Sequence, residues 1–161
     1  MTQTKNVTAS AVDPDIATGV AQFLAPVVVD LTALAIDAKQ AHWHVRGENF
    51  QAIHELLDEV VDHVREAADT AAERIIALGL PLDARTATVA AKTTTPAFPE
   101  GFIATGNAVA HVIAAIDATL VQVRTAVTEL DEIDQASQDI AIEIQQQLEK
   151  DRWFLFAHIA K

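Results

Sequence analysis

Residues 49–78 read NFQAIHELLDEVVDHVREAADTAAERIIAL, and Gly79 and Pro81 follow closely. Apolar residues recur at helical spacing, and Gly and Pro punctuate, so the stretch reads as one helix from about Asn49 to Leu78. Set His54 at the origin of a helical wheel and advance about 100° per residue. Ile53, Leu56, Leu57, Val60, Val61, Val64, Ala67, Ala68 and Ile75 then fall between about 200° and about 340°, which makes that arc a core face. Beside it, Asp58 falls at about 40°, Asp69 at about 60°, Asp62 at about 80° and Glu73 at about 100°. An acidic stripe of this kind is commonly a solvated face. It is also a line of metal-type ligands. His54–Asp58 and Asp69–Glu73 are i, i+4 pairs, each placed to share one cation. Imidazole with carboxylate suits iron, manganese or zinc.

Upstream, apolar residues keep helical spacing from Ile16 to about Arg46, through Val20, Phe23, Leu24, Val27, Leu31, Leu34, Ala35 and Ala38. Pro26 interrupts this stretch, so the helix either kinks there or begins there. Gly47 reads as its C-terminal stop. Residues 1–14 are polar and aperiodic, a flexible N-terminal tail before a single domain over 15–161. Downstream, residues 79–103 hold Pro81, Pro96, Pro99 and Gly101 and read as a loop, with a short helix near Ala84 to Ala91. A third helix spans about Thr105 to Leu130, Asp131–Glu132–Ile133–Asp134 makes a turn, and a fourth helix spans about Gln135 to Ile159. The fold class is therefore all-α: a four-helix bundle with a short helix in the long connection between the second and third helices. A crossover in that place is the ferritin-like connection.

Composition narrows the chemistry. The 161 residues include 23 Asp plus Glu against 11 Lys plus Arg, for a net charge of −12, and no Cys. Zero Cys excludes a disulfide scaffold, a thiolate zinc site and a cysteine nucleophile. Five Gly and five Pro are few for a multi-strand sandwich or barrel. The acidic balance opposes nucleic acid and suits cations. Residues 1–20 hold Lys5 but no apolar core, which argues against a secretory signal. Uninterrupted apolar runs such as Val27–Val29 or Phe154–Ala157 fall short of the roughly 20 residues of a membrane helix. A cytoplasmic location without membrane association is expected.

Helix length constrains the candidate metal site. Asp58 and Asp69 stand 11 residues apart, or about 16 Å at about 1.5 Å per residue. Within one chain the two pairs cannot reach the same ion. A second copy packed antiparallel across a two-fold axis would bring them together at two equivalent sites. The alternative, a dinuclear site inside one bundle, uses Glu-x-x-His motifs, and no Glu here has His three residues later.

The motif Lys39-Gln40-Ala41-His42-Trp43 is followed by Arg46-Gly47-Glu48-Asn49-Phe50, His54-Glu55-Leu56-Leu57-Asp58 and Asp69-Thr70-Ala71-Ala72-Glu73-Arg74. Together these resemble the signature of the DNA-binding proteins from starved cells (Dps), the mini-ferritins of the ferritin superfamily. The match is dense over residues 39–80, and the rest agrees in length, helix order and the late Trp153-Phe154 pair. The resemblance implies a homo-oligomeric shell of twelve subunits built from two-fold dimers. It implies intersubunit ferroxidase sites with two iron ions (Fe2+/Fe3+), oxidation of Fe(II) preferentially with hydrogen peroxide, and storage of ferric mineral. His42, His54 and Asp58 match the ligands that one subunit gives, and Asp69 and Glu73 those of its partner. Other divalent metals fit the same donor set.

The resemblance also suggests lesser roles. Trp43, next to a ligand, would trap stray oxidising equivalents, or serve as a packed aromatic. Glu55 and Glu59 would nucleate mineral on an inner wall. Asp131, Asp134 and Asp139 would line a cation pore, with Asp134 as an N-cap in the plainer reading. His44 lies about 200° from His42 and should face away. His63 would take a secondary metal or simply be exposed, and His111 and His158 pack or meet solvent. Members that bind DNA use a basic tail, whereas residues 1–20 hold one Lys and two Asp, and Lys161 closes the chain just past the last helix. Twelve copies would carry about −144, so DNA binding is expected to be weak or absent. Two other functions use the same residues: a metal-dependent hydrolase with an activated water, and a non-catalytic shell that sequesters cations.

Overall fold

The computed structural model describes residues 8–160. Residues 1–7 of the expected tail, and Lys161, lie outside the described residues. The first helix, α1, spans Pro14–His44. Asp13 caps it, accepting from the Asp15 amide at 2.8 Å, and Pro14 fills the first helical position, where a missing N–H costs nothing. The helix runs through Pro26 without a break. Gln22 and Pro26 both lie on the exposed side, so the carbonyl that loses its helical donor is at the water-facing surface.

Helix α1 ends at His44, short of the expected stop at Gly47. Gly47 does not cap α1. Val45 turns extended and, with Arg46, forms a two-residue strand β1 that pairs in parallel with Ile103–Ala104, strand β2. Gly47, at φ +116°, and Asn49, at φ +58°, then make the turn into α2, Phe50–Ala77. Such a pairing of remote dipeptides has no period for a sequence to display. Gly79, at φ +87°, stops α2 in the left-handed conformation that glycine tolerates. The short helix α3 is Thr86–Lys92, followed by α4, Thr105–Leu130, and α5, Gln135–Ala157.

This is the ferritin-like four-helix bundle with a short helix in its crossover. The parallel β1–β2 pair places the start of α4 beside the end of α1. The 78–104 connection therefore returns along the bundle, which at 28 residues of α2 is about 42 Å. Helix α1 packs mainly on α2 and α4, and α5 packs on α4 and α2. One core joins them, with Leu24, Leu31, Leu34, Leu57, Ile75, Ile116, Leu120, Leu148 and Leu155 among its fully buried side chains. Taken as windows rather than uninterrupted runs, α1 and α4 are long and apolar enough to cross a membrane. About half of each window is buried within the bundle, which accounts for the apolar content.

The crossover is pinned by a buried carboxylate. Asp30, on α1, is 1% exposed. Its Oδ1 accepts from the Thr93 hydroxyl at 2.9 Å and the Thr94 amide at 2.8 Å, and its Oδ2 accepts from the Thr94 hydroxyl. A buried charge without these donors would be strongly unfavourable. Replacing Asp30 with Ala is expected to cost about 1.5–3 kcal/mol in chemical denaturation. It should also make the connection around Thr93 cut faster by protease than the wild type.

Candidate metal centre

His42 sits near the C-terminus of α1 and His54 in the second turn of α2. Their rings stack with centroids 3.7 Å apart and planes 19° apart. The imidazoles are held reciprocally. His42 Nδ1 lies 2.8 Å from the His54 carbonyl, and His54 Nδ1 lies 2.9 Å from the His42 carbonyl. A carbonyl only accepts, so both Nδ1 atoms carry hydrogen, and in each neutral ring the lone pair is on Nε2. The His42 carbonyl is one of the last of α1, left without a helical donor, and the His54 ring satisfies it. Backbone anchoring of one ring nitrogen is how proteins orient a metal-ligating histidine. Phe50 stacks on the outer side of His54, with centroids 5.1 Å apart.

Asp58 lies one turn beyond His54 and pairs with the ammonium of Lys39 from α1. The Lys39 hydrogen bond holds its carboxyl below the ordinary aspartate range against partial burial, and His42 and His54 add to this only where acid protonates them. Sequence reading places Lys39 only within a motif. The signal that could have found it is position: three residues before His42, hence on the same face of α1.

Asp69 and Glu73 lie farther along α2, both exposed, and neither has a hydrogen-bond or ion-pair partner among the described residues. Asp69 borders a concavity of about 370 Å³ between α1 and α2, with Ile36 and Arg65 also on its wall. Among the described residues, no three His, Asp or Glu side chains converge tightly enough to hold an ion. One chain thus offers two separate groups, an anchored His42–His54–Asp58 set and an open Asp69–Glu73 pair. Large apolar side chains stand exposed on the same two helices: Ile36, Trp43, Phe50 and Ile76. Trp43, 62% exposed, is not a core aromatic of this chain.

His44 contacts Gln40 and lies against Phe102, away from the stacked pair. Arg46 also covers Phe102, with its guanidinium carbon 3.3 Å from the ring centroid. His111 meets Phe98 edge-on, and His158 is exposed at the end of α5. Glu55 and Glu59 border a second concavity of about 470 Å³, beside Trp153 and Phe154. Asp131 and Asp139 are exposed. Asp134 is half-buried, caps α5 by accepting from the Ser137 amide at 3.1 Å, and pairs with Arg74 at 2.7 Å. His63 is not simply exposed, since its ring meets the buried Asp151.

The family model described as a ferritin-like domain matches residues 23–161. A structure of Dps from Microbacterium arborescens in the high iron form is 55% identical and superposes with a TM-score of 0.90, covering 92% of this chain and 97% of that one. A DNA protection during starvation protein of Mycolicibacterium smegmatis is 32% identical over 148 residues, which is 89% of this chain and 78% of that protein. DNA protection during starvation protein 2 of Deinococcus radiodurans is 27% identical over 138 residues, and the match spans only 57% of its length. The chain belongs to the ferritin-like family and, within it, to the Dps group.

Two outcomes follow from the geometry. Lys39 competes with any cation for Asp58, so Lys39→Ala is expected to tighten divalent-metal binding about fivefold in calorimetry, the worth of a partly exposed pair of about 1 kcal/mol. Burial works to raise the Asp134 carboxyl, but Ser137 and Arg74 outweigh it and hold it below its ordinary value. The stability this contributes is present above the ordinary aspartate pKa and disappears as pH falls through the lower folded value. Asp134→Ala should therefore cost about 1 kcal/mol at neutral pH. In denaturation followed from neutral pH into strong acid, that difference should vanish at the acid end.

Proposed function

We propose that the chain is a ferroxidase and iron-storage protein whose metal sites are completed between subunits. The observation that carries this is the division of ligands: His42 and His54 are anchored at one end of α2 with Asp58 one turn on, and Asp69 and Glu73, without a partner among the described residues, stand about 16 Å along it. An antiparallel two-fold contact through α1 and α2 superimposes one set on the other twice per dimer. The exposed Ile36, Trp43, Phe50 and Ile76 on those helices support a partner there. Assembly of such dimers into a dodecameric shell follows the pattern of the Dps group.

Fe(II) is the substrate. His42 and His54 offer neutral Nε2 donors, and the carboxylates of Asp58, Asp69 and Glu73 neutralise the cations and favour the harder ferric product. Glu73 would bridge two ions. Two Fe(II) together give one hydrogen peroxide both electrons, with two protons forming two waters, so no hydroxyl radical is released. Trp43 beside His42 would intercept stray oxidant. Glu55 and Glu59 would start the mineral, and Asp131 and Asp139 would draw cations through a pore. Asp134, already used by Ser137 and Arg74, would shape that turn rather than bind the passing ion. The protein would act in the cytoplasm as protection against oxidative damage. The relatives are named for DNA protection, but a chain at −12 repels phosphate. Protection by removing iron and peroxide needs no DNA contact.

Anaerobic Fe(II) loading followed by peroxide tests this. About two Fe(II) should be oxidised per peroxide, and Asp58→Asn or Glu73→Gln should each abolish the rapid phase. Co-assembling those two variants should restore about a quarter of the sites, because each mixed dimer rebuilds one intact site of two. Complementation failing while native mass shows mixed assemblies would exclude the intersubunit site. Substrate turnover without redox change would favour the hydrolase, and binding without faster oxidation the passive shell.

A further inference from the structure

The groove between α2 and α5 holds a second histidine arrangement. Asp151, on α5, is 3% exposed and lies under His63 of α2. His63 Nδ1 is 3.0 Å from Asp151 Oδ1 and 3.2 Å from Oδ2. The Gln147 amide donates to the same Oδ1 at 2.9 Å and also lies 3.0 Å from Nδ1. Two donors thus converge on one buried carboxylate. Nδ1 therefore carries a proton, and in the neutral ring the lone pair is on Nε2. Among the described residues Nε2 has no hydrogen-bond partner, and the ring borders an open cavity of about 390 Å³. Glu66, Glu143 and Thr70 share that cavity wall. Glu66 is one turn beyond His63 on α2, and Glu143 faces it from α5, both exposed.

The geometry points to a divalent transition-metal site anchored on His63 Nε2, with Asp151 fixing the imidazole and Glu66 and Glu143 supplying oxygen. A carboxylate that holds the far nitrogen of an imidazole is the usual support of a metal-ligating histidine. One nitrogen and two carboxylates suit a borderline ion such as Zn2+. Lys150 also lines the cavity and opposes a cation, but its ammonium leans over the Phe154 ring at 5.8 Å. The acidic side chains must swing inward on binding, since no three ligands converge as they stand. The site is separate from the His42–His54–Asp58 set. On the helical wheel His63 falls at about 180°, about 140° from Asp58.

Zinc is the probe, and the protein is the assembled form carrying His54→Ala and Asp58→Asn to remove the first site. Equilibrium dialysis should retain one Zn2+ per chain. Anomalous scattering at the zinc edge should place it about 2.0–2.1 Å from His63 Nε2. His63→Ala should abolish retention with helix content unchanged, and His158→Ala should leave it intact. Glu66→Gln with Glu143→Gln, both at exposed positions, should weaken it. Asp151→Asn should weaken it about 10- to 100-fold. Zinc retained in full by His63→Ala, a zinc peak away from Nε2, or no retained zinc in the background protein would each overturn the proposal.

Discussion

The rise of an α-helix, about 1.5 Å per residue, is the constraint on which the candidate metal centre depends. It holds Asp58 and Asp69 on neighbouring faces of α2 yet too far apart to meet on one ion. A helix of 28 residues does not bend enough to bring them together. Completing a site then requires a second chain. The same rigidity orients the two imidazoles at the start of α2. His54 is carried by a helix locked into the bundle core, and the end of α1 meets it squarely enough for two imidazoles to exchange hydrogen bonds with each other's carbonyls. Orientation comes from backbone atoms, which move less than side chains.

Charge is sorted along the same logic. Buried carboxylates serve the fold: Asp30 holds the crossover through two threonines, and Asp151 sits under His63 and Gln147. Asp69 and Glu73, exposed on α2, have no hydrogen-bond or ion-pair partner among the described residues, which leaves them open to cations. Asp58 lies between these cases, since Lys39 neutralises it without burying it. A lysine there balances the carboxylate one turn beyond His54.

Much of the fold is legible in local pattern. The third long helix matches its expected bounds, Thr105–Leu130, because an amphipathic run between a Pro-rich loop and an acidic turn leaves little freedom. The interior and the end of α1 are less legible. Pro26 suggests a kink or a start, but the exposed position of Gln22 and Pro26 lets the helix continue. Gly47 suggests a cap, but Ile103 and Ala104 capture Val45 and Arg46 first. One difference arises from a partner far along the chain and the other from which face meets water, and neither leaves a periodic trace.

The sequence alone determined the helical register of α2, and with it the core arc, the acidic stripe and the separation of its two i, i+4 pairs, because these depend only on spacing and helix geometry. It also determined the absence of thiolate ligands. Tertiary structure decided what each side chain faces: the stacking of His42 on His54, the tie of Lys39 to Asp58, the commitment of Asp134 to Arg74, and the seating of His63 on Asp151. The reason is physical. Those contacts join residues 12 to 88 positions apart, and their existence depends on how helices pack side by side rather than on the period within any one of them.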